Sequence, residues 1–480
     1  MRDDQLRRLL RERNPWWHAV ATGGDPSAWA QHDPALRPAA ESGITYFPDV
    51  VADLRPPMLV LVRGPRRVGK SVAAKRYVQQ LFVDGGAEQA RRTIYFATDG
   101  WRAQDLRRAF TLGTELTPLA DGPRTWIVDE INDVDGWVAV IKELRDNTAL
   151  AGDAVLLTGS SAHELSQART ALAGRTHAER PYRFLLPMTF REYLKVTGTE
   201  LPDAAAPISP DLLQSSEART IVDALAPLVD TLDLSWQRYL EVGGFPRAVA
   251  DMTTTGAVSN TFISDLVGWL VGDVDPDAPA ESVVGLLAGI EQRTSSPFEL
   301  TSTAEALGTT RRRLDVRIER LVVSFGALWC RQGNGEGAPI EGGRPKLYLA
   351  DPLLAQLPHL RDPSFRQADF TRSTEAVLAT ELARAVDRLH PDRFVEGRAV
   401  QYTRTGSGKE IDFAPLSLRI AGQQTTSVPI EGKWVSHNWR SEALVMRGRF
   451  NRGVLATKDI IDATGDVWAI PAPIVALLLN

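Results

Sequence analysis

A chain of 480 residues, 43% hydrophobic and 24% charged, is too long for one ordinary core and reads as a globular protein of roughly two to four domains. Its net charge of −5 gives no global signal for nucleic acid, and apolar runs such as PIVALLLN are far too short to span a bilayer. The single cysteine, Cys330, excludes an intrachain disulfide; with no signal-peptide pattern at the N-terminus, a cytoplasmic protein is expected.

The chain opens on MRDDQLRRLLRERNPWW, a helix with Leu6, Leu9 and Leu10 on one side and Arg7, Arg8, Arg11 and Arg13 around it. Such a helix can lie on DNA or on a membrane. A packed helix with a charged outer face is the commoner use of the pattern and the one expected here. From about residue 56 to 190, β-rich runs alternate with helical stretches. MLVLVRG, RTIYFAT, RTWIVDE, DAVLLTGS and YRFLLPM read as strands, with helices near 70–83, 101–112, 136–148 and 161–172. The alternation predicts an α/β fold with a parallel sheet covered by helices on both faces.

Directly after the first strand stands GPRRVGKS, the full Gly-x-x-x-x-Gly-Lys-Ser pattern, opening a helix. The backbone of Gly64, Pro65, Arg66, Arg67, Val68 and Gly69 can curl around phosphates, and the helix start at Lys70, Ser71 and Val72 adds positive potential. Lys70 would reach the β and γ phosphates and Ser71 would ligate Mg²⁺. TWIVDE ends in Asp129 and Glu130 at the C-terminal end of a buried strand, where open α/β sheets bind ligands. Asp129 can hold the metal ion and Glu130 can polarise the attacking water; the bland alternative is an acidic helix cap. In VLLTGSS, Thr158 reads either as a γ-phosphate contact or as a turn hydroxyl. Arg175 is a candidate transition-state arginine or a surface residue.

Residues 200–280 lose the strand signals and read as helices broken by PDAAAPISP, by Gly243-Gly244 and by Pro246. Residues 281–350 run helix, turn, helix and then short β segments, an order that suits a winged helix. Its second helix carries Arg311, Arg312, Arg313 and Arg317, which can meet DNA or form a solvated face. Toward the C-terminus, KEIDFAP and TSVPIEGKWV place Asp412, Glu431 and Lys433 on two strands expected to be neighbours. Side chains alternate along a strand, so Glu431 and Lys433 share a face. Carboxylates converging from adjacent strands suit Mg²⁺, yet acid-x-Lys is also a common solvated pair.

The set LVRGPRRVGKS, WIVDEINDVDGW, LLTGSSAHEL, LAGR, LPMTFREYL and YLEVGGFPRAV resembles a prokaryotic family of AAA+-like ATPases, with RPKLYLADPLLA resembling the family's link to a final domain. The resemblance implies a P-loop NTPase core at 50–195, a helical lid at 196–280 and a winged helix at 281–355. It further implies a restriction-endonuclease-like α/β domain of the PD-(D/E)xK type at 356–480, leaving 1–49 as an N-terminal helical segment. Carried over, Asp412, Glu431 and Glu375 would be metal-binding carboxylates and Lys433 the catalytic lysine; ATP rather than GTP also comes from the resemblance. The expectation is a Mg²⁺-dependent ATPase coupled to DNA binding, remodelling or cleavage, in a setting such as genome defence. The alternative is a nucleotide-driven switch whose C-terminal domain binds a protein partner or DNA without cleaving it, with ATP ordering the Gly243–Pro246 region and changing homo-oligomeric state.

Overall fold

Five strands rich in β-branched and aromatic residues assemble the sheet that carries the glycine-rich loop Gly64–Ser71. In the computed structural model, which describes residues 1–117, 122–162, 165–391, 393–394, 396–406 and 408–480, the chain divides into two units, Met1–Leu186 and Pro187–Asn480. In the first unit, β1 (Leu59–Arg63), β2 (Thr93–Ala97), β3 (Thr125–Asp129), β4 (Ala154–Gly159) and β5 (Tyr182–Phe184) form one sheet in the order β2-β3-β4-β1-β5. All pairings are parallel. Every residue of β1 to β4 is buried, as a sheet covered on both faces requires.

The first unit's principal helices are α1 (Asp3–Arg13), α2 (Lys70–Arg92), α3 (Ala103–Leu116), α4 (Trp137–Asn147) and α5 (Leu165–Leu172). Of the helix expected at 161–172, residues 163 and 164 lie outside the described residues. The N-terminal segment is part of this unit. Leu6 and Leu10 of α1 are buried, and its charged face pairs with α3 through Asp3–Arg108 and Arg7–Glu115. Farther on, Trp16 and Trp17 each donate an indole N–H to the Thr93 carbonyl at 3.1 Å.

The second unit begins with helices through Val274 and continues as α6 (Ala280–Glu291), α7 (Leu300–Ala306) and α8 (Arg311–Val323). An antiparallel pair follows, β6 (Ala327–Gln332) and β7 (Lys346–Leu349). β6 also pairs in parallel with β8 (Gln401–Arg404), which pairs with β9 (Glu410–Ile411). The resulting sheet, β7-β6-β8-β9, runs across the division expected at 355/356, so three helices, hairpin and C-terminal region share one body.

Besides the helices Pro352–Arg361 and Ala472–Leu479, the remaining elements are α9 (Phe370–Leu389), a hairpin of β10 (Ser417–Ile420) and β11 (Gln423–Thr426), then β12 (Ile430–Gly432), α10 (Trp439–Phe450), β13 (Gly453–Thr457) and β14 (Val467–Pro471). The last three strands form a parallel sheet. An antiparallel bridge between Phe413 and Ile430 brings Asp412 beside Glu431. At the glycine pair, Gly243 has φ of 69°, and the Gly244 N–H donates to Asp351 Oδ2 at 2.8 Å while the Gly244 carbonyl accepts from Met188 N–H at 2.7 Å. This turn is closed by groups of its own unit.

Candidate nucleotide site and acid cluster

The ends of β1, β3 and β4 lie at one edge of the first sheet, with β4 between the other two. The loop after β1 is packed tightly at its start: a Cβ on Gly64 would fall 1.8 Å from the Leu185 carbonyl oxygen, so no larger residue fits. Gly69, with φ of 93°, turns the backbone into α2. Lys70 is buried, and its ammonium donates to the Gly64 and Pro65 carbonyls at 2.9 Å each, 4.0 Å from Glu130 Oε1. Pro65 and Val68 are buried, Arg66 and Arg67 exposed, and Ser71 and Val72 partly covered.

Asp129 is held from two sides. Tyr95 donates its hydroxyl to Oδ2 at 2.9 Å, and Thr158 donates to Oδ1. Burial, and then the charge of Asp129 beside it, keeps the Tyr95 phenol protonated well above its ordinary range. It therefore remains a donor. The Thr158 hydroxyl also accepts the Glu130 N–H at 3.1 Å. Glu130 has φ of 54° and ψ of 46°, a left-handed conformation that costs a non-glycine residue free energy. Thr158 on its N–H, and Thr98, whose hydroxyl donates to its carbonyl at 2.8 Å, hold it there. Burial is the largest influence on the Glu130 carboxyl and raises it above the ordinary glutamate value despite the opposing Lys70 charge.

This set fits magnesium. Asp129 offers two oxygens oriented by hydroxyl donors, each with a further lone pair, and the Ser71 hydroxyl stands at the first turn of α2. Arg175 is not brought to this edge. The Thr176 carbonyl accepts from Leu59 N–H, the first residue of β1, so Arg175 sits about 13 Å away at the other end of a five-residue strand. There its guanidinium clasps Asp146 through both carboxylate oxygens. Sequence reasoning missed Tyr95 and Thr98. A lone hydroxyl-bearing aromatic inside TIYFA, and a threonine at the end of that strand, were the available signals.

In the second unit, Asp412, Glu431, Lys433 and Glu375 come together, but around an ammonium. Lys346 Nζ lies 3.0 Å from Asp412 Oδ1, 3.3 Å from Glu375 Oε1 and 3.3 Å from Glu410 Oε2. Tyr348 donates its hydroxyl to Glu375, the Gly432 N–H donates to Asp412 Oδ2 at 3.1 Å, and the Asp412 N–H donates to Glu431 Oε2 at 3.0 Å. Lys433 pairs with Glu431 Oε1 at 3.0 Å. Burial, then the neighbouring Asp412 charge, pushes the Glu375 and Glu431 carboxyls up. Burial alone would lower Lys346, but Asp412 and Glu375 outweigh it and keep it charged. Among the described residues, no group of three or more His, Cys, Asp or Glu side chains is arranged to hold a metal ion. The expected magnesium site at Asp412, Glu431 and Glu375 does not fit this arrangement, because the Lys346 ammonium already takes an oxygen each of Asp412 and Glu375, and Lys433 takes one of Glu431.

The four arginines of α8 do not share one outward face. Arg317 is buried and pairs with Asp275 Oδ2 at 2.5 Å, so its guanidinium faces the core and cannot meet DNA. Arg313 reaches the same oxygen at 3.0 Å; Arg311 and Arg312 are exposed.

Residues 56–194 match the family model described as an AAA domain. A search of curated proteins finds no match. Among solved structures, the chain is similar to the Orc1 protein of Aeropyrum pernix in complex with DNA, at 13% identity over 77% of this chain and 92% of that one, with a TM-score of 0.31. It is also similar to a RuvB mutant of Thermotoga maritima, at 14% identity over 68% of this chain and 89% of that one, with a TM-score of 0.26. Among the described residues, no helix is long and apolar enough to cross a membrane.

Proposed function

We propose that the first unit is a Mg²⁺-dependent ATPase. The observation that carries this reading is the convergence, at one sheet edge, of the Gly64–Ser71 loop, buried Lys70 and the acids Asp129 and Glu130 fixed by Thr158. Loop amides and Lys70 bind the phosphates, with Lys70 exchanging its loop carbonyls for phosphate oxygens. Ser71 and Asp129 hold Mg²⁺, which when bound offsets phosphate charge. Glu130 orients a water and takes its proton, and burial, which raises its carboxyl above the ordinary glutamate value, makes it a stronger base.

The reading is tested by calorimetry and phosphate release. Lys70→Ala is expected to abolish nucleotide binding, whereas Glu130→Gln keeps binding and loses about 10²-fold or more in turnover. Unchanged hydrolysis in Glu130→Gln would sink the assignment of the base.

For the second unit, the ammonium among the acids favours a binding or regulatory role over phosphodiester cleavage. In that role nucleotide bound by the first unit would drive association with DNA or a protein partner. Phosphate contact by α8 would fall to exposed Arg311 and Arg312.

A further inference from the structure

The strand that delivers Lys346 is pinned on both edges. Lys346 pairs with Cys330 of β6 on one side and bridges Pro297 on the other, and the Phe298 N–H donates to the Pro345 carbonyl at 2.7 Å. Its side chain is 0% exposed. An ammonium carries three donors and no acceptor. Here one oxygen each from Glu375 of α9, Glu410 of β9 and Asp412 just beyond it lies within 3.3 Å of those donors. The Tyr402 ring, 5.1 Å from Nζ, covers a further side.

These are the distances of a hydrogen-bonded ammonium. Magnesium instead demands near-octahedral oxygens at about 2.0–2.1 Å and usually keeps several waters. We infer that the acid cluster of the second unit is a cation site whose resident cation is the chain's own Lys346, and that a divalent ion takes these carboxylates only when that ammonium is removed. The neighbouring acids are also served internally: Glu431 by Lys433, and Glu410 additionally by Arg404. A hard divalent ion would have to displace a strand-anchored lysine and leave its charge buried. The inference is independent of the ATPase reading, since no residue of the first unit enters it.

Manganese(II) binding to the full-length, nucleotide-free protein tests it, read from the electron paramagnetic resonance signal of the free ion. Wild type and Asp412→Asn are expected to bind the same number of ions. Lys346→Met gains one further ion, and adding Asp412→Asn to that variant removes it. Manganese bound by the wild type and lost in Asp412→Asn overturns the proposal, as does a folded Lys346→Met that gains none. If Lys346→Met does not fold, the wild type decides through the Ile411 and Ile430 methyl resonances beside the cluster. Signals left sharp by manganese support a lysine-filled site, and paramagnetic broadening of both overturns it.

Discussion

Thr158 shows what a single hydroxyl contributes. In the sequence it reads equally as a phosphate contact or as a turn residue, because VLLTGSS says nothing about what lies across the sheet. In the structure it donates to Asp129 and accepts from Glu130 N–H, using one hydroxyl to set both acids. Thr158→Val keeps the shape, removes both bonds and leaves a backbone N–H unsatisfied beside a strained left-handed residue. An unsatisfied buried group costs about 1–3 kcal/mol. Expressed in the transition state, that is about 5- to 150-fold in rate. Steady-state hydrolysis against Mg²⁺ concentration should show Thr158→Val with lower kcat and higher half-saturating Mg²⁺, and Thr158→Ser close to wild type. Identical magnesium curves for valine and threonine would remove Thr158 from the site.

At the scale of elements, legibility follows locality. The phosphate loop, the acids after β3 and the five parallel strands could be read because each is written in a few consecutive residues with a strand and a helix around them. Lys346 could not, because it meets Asp412 across 66 residues through a strand pairing that no local pattern encodes. Arg317 is different, since a signal was present. Leu314, Ile318 and Leu321 are the buried residues of α8, and Arg317, three after Leu314, falls on the same face. Its guanidinium therefore closes the unit against Asp275. Arg317→Met is expected to lower the second unit's stability by about 3 kcal/mol, since removing one partner leaves a charge poorly compensated. Exposed Arg311→Ala should stay within about 0.5 kcal/mol. Urea unfolding of the two variants side by side measures the contrast, and equal midpoints would return Arg317 to the surface.

At the scale of the whole molecule, the two units need not respond alike to pH, and the second carries buried carboxyls that decide its response. Glu381 of α9 accepts the Phe190 N–H at 3.2 Å through Oε1, while its Oε2 has no hydrogen-bond partner among the described residues. Burial pushes its carboxyl from 4.5 to about 7, against the pull of Arg384. Asp351, also buried, is raised from 3.8 to about 6 although it accepts the Gly244 and Leu353 N–H groups. Both folded-state values exceed the unfolded ones, so the protonated forms favour the fold. Their contribution is fully present below the unfolded values. It falls as the unfolded chain ionises first, and is lost as pH rises through about 6 for Asp351 and about 7 for Glu381. For Glu381 alone the loss amounts to about 3 kcal/mol as an upper figure. Glu381→Gln, which stays neutral and keeps an acceptor for Phe190, should remove that share. Amide hydrogen exchange along α9 in the full-length protein at pH 5 and pH 8, corrected for intrinsic rates, reads the effect. Wild type should lose protection between the two conditions, and Glu381→Gln should lose less, keeping only the share that Asp351 contributes. The same loss in both proteins would mean that Glu381 folds already charged, its burial compensated by Arg384 and Arg388.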